Sequence, residues 1–138
     1  MATFMLKGQE IPLLYTTYEM KEIQEEIAPL NDFQYIIFGR KKEDENDDSL
    51  YGGPEHLTAV AKLLRILGNA GLEESGKEPF LTDKKVMRSL RPGELVDAVN
   101  ACMSAMSEGM ASEIPDKKKE GPVDVMLEEM EKKKEPES

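Results

Sequence analysis

Cysteine and histidine are nearly absent from this sequence of 138 residues, which contains one of each, Cys102 and His56. A single cysteine excludes an internal disulfide bond, and the two together leave little from which to build a zinc site. Cys102 falls on the apolar stripe of a predicted helix, so a buried, inert thiol is expected. His56 lies in the first turn of another predicted helix, with no second histidine and no nearby serine or cysteine in sequence, which favours a surface histidine. No catalytic constellation can be assembled, and we expect neither enzymatic activity nor a bound cofactor, metal or small-molecule substrate.

Long apolar runs are absent too. The runs over residues 11–15 and 35–38 are far shorter than the roughly 20 residues of a membrane-spanning helix, and the N-terminus lacks the pattern of a signal peptide. We therefore expect an intracellular protein without a membrane partner. With 28 acidic and 18 basic residues the net charge is -10, which argues against binding to nucleic acid. Proteins are the expected partners.

The composition predicts a core that does not include the whole chain. Only 39% of the residues are apolar and 33% are charged. We predict an α+β, mainly α fold, in which residues 1–110 form one globular domain with an N-terminal β-hairpin, about four helices and an acidic loop over 40–52. Residues 111–138 should form a charged, mostly disordered tail that contains a short amphipathic helix.

The N-terminus carries the signals of a β-hairpin. Two apolar segments flank Gly8–Gln9, and glycine at the first central position is typical of a type II′ turn. This turn would pair Leu6 with Ile11 across the two strands.

Capping residues predict where the helices begin. Thr16 and Glu19 form a capping box, and Pro29 should end the helix that follows. Residues 31–38 have both helical and strand character; we favour a helix, which Asp32 could cap. The other helices are expected to begin at Pro54, Thr82 and Pro92. In the helix from Pro54, Leu57, Val60, Leu64 and Leu67 predict a core-facing stripe that ends at Gly68 or Gly71.

Gly71, Gly76 and Lys77 have the spacing of a nucleotide-binding P-loop. Glu78, however, replaces the hydroxyl residue that would hold magnesium, and the acids at 73–74 would repel phosphates. A glycine-rich connection at the end of a helix is the expected structure, without a nucleotide.

Residues 81–99 also resemble a helix-turn-helix, with basic side chains at Lys84, Lys85, Arg88 and Arg91. A recognition helix presents polar or basic side chains to base edges, whereas the helix after Pro92 carries Glu94, Asp97 and several methionines. A helix-turn-helix regulator and an acidic nucleic-acid mimic or inhibitor are therefore kept as alternatives to a protein-binding function.

Methionine is the informative excess. The chain has nine, and five lie near its C-terminal end. Flexible thioether side chains recur on binding faces that adapt to different partners, although Met103 and Met106 also suit ordinary core packing. In residues 121–134 the apolar residues follow the i, i+3, i+4, i+7 spacing of an amphipathic helix. The predicted protein-binding residues are Met103, Met106, Met110, Val123, Met126, Leu127 and Met130.

Three segments, "LLRILGNAGLEESGKEPFLTDKKVMRSLRP", "SEGM" and "EGPVDVMLEEMEKKK", resemble the tail assembly chaperones of long-tailed phages and prophages of Gram-positive bacteria. The resemblance implies a factor that binds the tape measure protein, a long and largely helical chain, and keeps it soluble until tail tube subunits polymerise around it. It also implies a location in the host cytoplasm and absence from the mature virion. Self-association is a further candidate interaction.

The same resemblance carries two more expectations. "GNAGLEESG" would be a fixed connector between two core helices. Because family members are often made in two lengths by ribosomal frameshifting, this chain would be the short form, and the codons of Lys132–Lys134 are a candidate slippery site.

Overall fold

The computed structural model describes residues 1–44 and 46–111, and over these ranges the predicted α+β, mainly α fold is confirmed. The predicted tail therefore lies, apart from Ala111, outside the described residues. Two antiparallel strands are followed by helices, and the loop predicted over 40–52 joins the second helix to the third. The elements are β1 (Thr3–Leu6), β2 (Gln9–Pro12), α1 (Thr17–Glu26), α2 (Leu30–Ile37), α3 (Pro54–Glu74), α4 (Asp83–Ser89) and α5 (Leu95–Gly109), the last preceded by a 3-10 turn over Pro92–Glu94.

The hairpin forms, but its predicted register is wrong. The central turn residues are Lys7–Gly8, with φ angles of 52° and 81°, and Phe4 instead of Leu6 lies opposite Ile11. Two consecutive residues with positive φ are typical of a type I′ turn, whose twist matches that of the strands. The register differs from the prediction by two residues, so each side chain stays on its expected face. Phe4, Leu6 and Ile11 are accordingly buried.

The starts of α1 and α2 follow from local sequence. The Thr16 capping box is confirmed, with the Thr16 amide donating to Glu19 Oε1 at 3.0 Å. The helical interpretation of residues 31–38 is confirmed by α2. The prediction of an Asp32 cap is wrong, because α2 begins at Leu30, directly after Pro29, and no side chain caps it.

Helix α3 begins at Pro54 as predicted but continues past both glycines to Glu74. The predicted end at Gly68 or Gly71 is therefore wrong, and most of "GNAGLEESG" is helix where a connector was expected. Both positions serve close packing. A Cβ atom at position 71 would lie 2.0 Å from the Pro12 carbonyl oxygen, and one at position 68 would lie 2.6 Å from Leu81 Cδ1. Glycine is needed where the hairpin and the connector between α3 and α4 approach the helix.

The core is organised around α3, which contacts β2 and helices α1, α2, α4 and α5. Of its predicted stripe, Leu57 departs from expectation, because 37% of its surface is exposed. No helix among residues 1–44 and 46–111 is both long and apolar enough to cross a membrane. The largest fully buried apolar side chains are Ile11, Leu13, Ile23, Ile37, Val60, Leu63, Leu64, Leu67, Leu72 and Val86.

A polar cluster joins three helices at the edge of this core. Arg65 on α3 forms ion pairs with Glu26 at the end of α1 and with Asp83 at the start of α4, the latter at 2.6 Å. Lys62 lies 3.1 Å from the second Asp83 oxygen. Partial burial would by itself raise the pKa of Asp83, but the hydrogen bonds from Arg65 and Lys62 outweigh burial and lower it. The cluster fixes the positions of α1 and α4 against α3.

Candidate functional site

Of the predicted binding residues within the described ranges, Met103 and Met106 lie on α5 and Met110 is the C-cap residue that follows it. Met103, Met106 and Met110 are partly buried and pack against the hydrophobic core. Each of these three side chains therefore packs partly on the core and is partly exposed to solvent. The other predicted binding residues, Val123, Met126, Leu127 and Met130, lie outside the described residues.

One side of α5 carries three aligned apolar residues, here called the α5 flank and defined by Val96, Met103 and Met110; the exposed polar residues Asn100 and Ser107 lie between them. Residues seven apart on a helix differ by only about 20° in direction, so these three side chains are aligned along the axis. Fourteen residues at 1.5 Å each make the flank about 21 Å long. Val96 is 54% exposed and the two methionines are partly exposed. This length corresponds to about four turns of an α-helix.

The N-terminal end of the α5 flank opens into a cavity of about 280 Å³ between α2, the 40–52 loop and α5. We call it the terminal groove and define it by Phe38, Tyr51 and Val96. Phe38 is 41% exposed and Tyr51 47%, so two aromatic rings and a branched aliphatic side chain meet solvent together. Large apolar side chains exposed in one place are typical of interaction surfaces. Sequence reasoning missed Phe38 and Tyr51, because a helix end and a loop give no periodic signal.

Charged groups are distributed unevenly around the flank and groove. Arg40 and Asp48 line the groove, and Glu94 and Asp97 lie beside the N-terminal end of α5. Acids at this end of a helix interact favourably with its dipole. With the exposed Arg91 directly before the 3-10 turn, the N-terminal end of the flank carries three carboxylates and two guanidinium groups.

His56 lies behind the groove and is not the predicted surface histidine, since only 1% of its surface is exposed. Its Nδ1 accepts a hydrogen bond from the Gly52 amide at 2.9 Å, and its ring lies 4.9 Å from that of Tyr51. Burial lowers the pKa of His56, and a hydrogen bond with the Ile37 backbone partly offsets this. A neutral imidazole can be buried here because backbone groups satisfy it. His56 thus holds the loop that presents Tyr51.

Cys102, Gly71 and Lys77, the other candidate residues from the sequence, lie in positions explained by packing and by helix ends. Cys102 is buried as predicted, and burial raises the pKa of its thiol. Gly71 lies inside α3, and Lys77 follows the C-terminal end of that helix. A P-loop places phosphate at a helix N-terminus, whereas a C-terminus disfavours anions. The glycine–lysine spacing therefore lacks the surroundings of a phosphate site.

The helix-turn-helix interpretation finds little support in the exposed side of α5. No basic residue lies on α5, whose exposed side chains are Val96, Asp97, Asn100, Ser104, Ser107 and Glu108. The basic residues predicted for this motif lie before α5: Lys84, Lys85 and Arg88 are exposed on α4, and Arg91 is exposed after it. Across residues 1–44 and 46–111, no group of three or more histidine, cysteine, aspartate or glutamate residues is placed to hold a metal ion.

Comparisons with protein-family models, curated proteins and solved structures found no match. The function is therefore inferred from the chain's own residues, chiefly from the α5 flank and the terminal groove.

Proposed function

We propose that this protein is a tail assembly chaperone of a long-tailed phage or prophage, which binds helical segments of the tape measure protein along the α5 flank. The observation that carries the proposal is the α5 flank from Val96 to Met110, continuous at one end with Phe38 and Tyr51. Its length of about 21 Å suits a client helix of about 14 residues. Amphipathic helices commonly bind by laying their apolar face in such a groove.

The side chains on the flank suit a client whose sequence varies along its length. Met103 and Met110 each contact the core and remain partly exposed. Methionine has three rotatable bonds and no branch, so its thioether can repack against different client side chains. A long helical client presents many such faces in turn. The proposed binding set also includes Val123, Met126, Leu127 and Met130 beyond the described residues.

The charge of the chain suits a chaperone that must keep an apolar client in solution. A net charge of -10 disfavours association between loaded complexes. As an assembly factor, the protein would act in the host cytoplasm and be absent from the mature virion. The proposed role requires neither nucleic acid nor membrane, nor a cofactor, and involves no enzymatic step.

Co-expression of the full chain with overlapping fragments of its tape measure protein tests the proposal. At least one fragment should become soluble and co-purify with the chain. Val96→Asp places a charge where the α5 flank meets the terminal groove and should lower the soluble fraction at least fivefold. Tyr18→Asp is the matched control, because Tyr18 on α1 is a large side chain that is 62% exposed, against 54% for Val96. If all fragments stay insoluble, or if both variants behave alike, the proposed function is wrong.

A further inference from the structure

Helix α4 has an outer face that is basic and partly apolar, here called the α4 face and defined by Lys84, Lys85, Met87 and Arg88. Its three basic side chains are exposed, and Met87 is 41% exposed. Consecutive helical residues differ in direction by about 100°, so these four side chains occupy less than half of the helix circumference. Val86 points in the opposite direction and is fully buried. The α4 face is therefore the side of the helix turned away from the core.

Few acids lie near the α4 face along the chain. The Asp83 carboxylate pairs with two basic side chains of α3. Glu94 Oε1 accepts a hydrogen bond from the Arg91 amide at 2.8 Å, and Glu78 is exposed in the connector before α4. Among residues 1–44 and 46–111, no ion pair includes a side chain of the α4 face. Its three positive charges are therefore not neutralised by a described carboxylate, and Arg91 adds a fourth basic group after the helix.

The spacing of the basic residues is unfavourable for the helix itself. Lys84 and Arg88 are four residues apart, so two like charges are neighbours on the helix surface. Like charges at this spacing destabilise a helix. The fold nevertheless holds α4 in place through the Thr82 cap and through the pairs that Asp83 forms with α3. A partner that supplies negative charge would relieve the repulsion.

Charge complementarity indicates which class of partner fits. The net charge of -10 repels a long phosphate backbone, and α5, the next helix, carries no basic residue that would extend the contact. A short acidic segment of a protein needs to contact only the α4 face, and an apolar side chain in it would cover Met87. We propose that the α4 face binds an acidic segment of a partner protein, with carboxylates paired to the three basic side chains and an apolar side chain packed on Met87.

This surface is separate from the surface of the proposed function. The α4 face lies on a helix that packs against α3, whereas the α5 flank lies on α5. The inference does not depend on the proposed function, because binding of an acidic peptide is measured without the tape measure protein. If both hold, the chain contacts a helical client and an acidic partner through different helices.

Fluorescence anisotropy with the purified full chain tests the proposal. The probe is a fluorescein-labelled polyglutamate peptide with one central phenylalanine, in about 0.15 M salt. The control ligand is the same peptide with glutamine in place of every glutamate. We expect saturable binding of the acidic peptide that weakens as salt is added, and at least tenfold weaker binding of the control. Equal affinities for the two peptides would overturn the inference.

Two matched charge reversals test whether the α4 face is the binding surface. Lys84→Glu should weaken peptide binding at least fivefold, because it reverses a charge at the centre of this face. The new carboxylate lies four residues before Arg88, which favours the helix, so lost binding would not reflect unfolding. Lys7→Glu, at the exposed turn of the hairpin, changes the net charge equally and should weaken binding less than twofold. Equal effects would mean that net charge alone governs binding, and the inference would be wrong.

Two further variants test the apolar contact and the separation from α5. Met87→Gln keeps an unbranched side chain but removes its apolar end, and it should weaken peptide binding at least twofold. Unchanged affinity in this variant would overturn the packing on Met87. Val96→Asp on the α5 flank should change peptide binding less than twofold while it lowers client solubility. The proposed function and this inference can therefore fail independently.

The same variants distinguish other occupants of the α4 face. We expect a labelled single-stranded DNA oligonucleotide to bind more weakly than the acidic peptide. Tighter binding of the DNA, lost in Lys84→Glu, would overturn the proposal in favour of nucleic acid. Analytical ultracentrifugation of the chain without peptide should give the same sedimentation for the native protein and Lys84→Glu. Dimers that dissociate in the variant would overturn the proposal in favour of a second copy of the chain.

Discussion

The side chain of Asn69 holds the backbone of Leu81 by two hydrogen bonds. Its Nδ2 donates to the Leu81 carbonyl oxygen, and the Leu81 amide donates to its Oδ1, each at 3.0 Å. These bonds attach the connector between α3 and α4 to the C-terminal half of α3. Thr82, the next residue, caps α4 by accepting from the Lys85 amide. Asn69 therefore places both a buried leucine and the start of a helix.

Replacing Asn69 by alanine should destabilise the fold by about 1–3 kcal/mol, because the two Leu81 backbone groups lose their partners. Urea unfolding measures the change. Asn100→Ala is the matched control, since Asn100 is exposed on α5 and shares the same change in helix propensity. If the two variants differ by less than about 0.5 kcal/mol, the paired hydrogen bonds contribute little to stability.

Gly71→Ala should destabilise the protein although alanine favours helices by about 1 kcal/mol over glycine. The added methyl group would lie 2.0 Å from the Pro12 carbonyl oxygen, so the hairpin or the helix must shift. We expect a net loss of about 2 kcal/mol or more in urea unfolding, as for other overpacked sites. Gly93→Ala, which meets no atom within 4 Å, should change stability by less than about 0.5 kcal/mol. A stabilised Gly71→Ala protein would contradict the close approach.

The polar cluster around Asp83 should make stability sensitive to acid. Because the pKa of Asp83 is lower in the folded chain, its contribution is present above the unfolded pKa and is lost as pH falls through the folded value. When the pH is lowered from 5 to about 2.5, the free energy of unfolding should fall less in Asp83→Asn than in the native chain. The side chain is about one-third exposed, so solvent screening limits the difference to about 1 kcal/mol or less. Glu78→Gln, at an exposed connector position, is the control for removing one carboxylate.

Buried His56 should destabilise the fold as pH falls below neutrality. Its folded pKa is lowered, so its contribution is present above the unfolded pKa near 6.5 and declines as pH falls toward the folded pKa. His56→Asn keeps an acceptor for the Gly52 amide but does not titrate. Urea unfolding at pH 7 and pH 5 should show a decline in the native chain that is reduced in the variant. Equal declines would mean that the pKa of His56 is not lowered in the folded chain.

Features set by neighbouring residues were predictable from sequence. The Thr16 capping box, Pro54 at the start of α3 and the Thr82 cap each depend on contacts within one helical turn. The buried position of Cys102 followed from helical periodicity alone. The sequence also indicated Met103 and Met110 as a binding face, and the structure adds Val96 to their line.

Features set by distant contacts were not predictable from one sequence. Gly71 indicates a helix end by local preference, yet it is retained inside α3 because Pro12 approaches it from the hairpin. The sequence gives no sign that His56 is buried. Its ring is covered by Tyr51 from the preceding loop and by the end of α2. The terminal groove was missed for the same reason.

The N-terminal hairpin can complete its packing only after α5 has been synthesised. The Ala2 amide donates to Glu108 Oε1 at 2.9 Å, and β1 packs on α5, so the hairpin completes its contacts only with the last described helix. During synthesis, β1 emerges before the helix that completes its contacts. The two ends of the core also lie side by side, so a short linker between residues 2 and 108 should permit a circularly permuted chain that begins at the 40–52 loop.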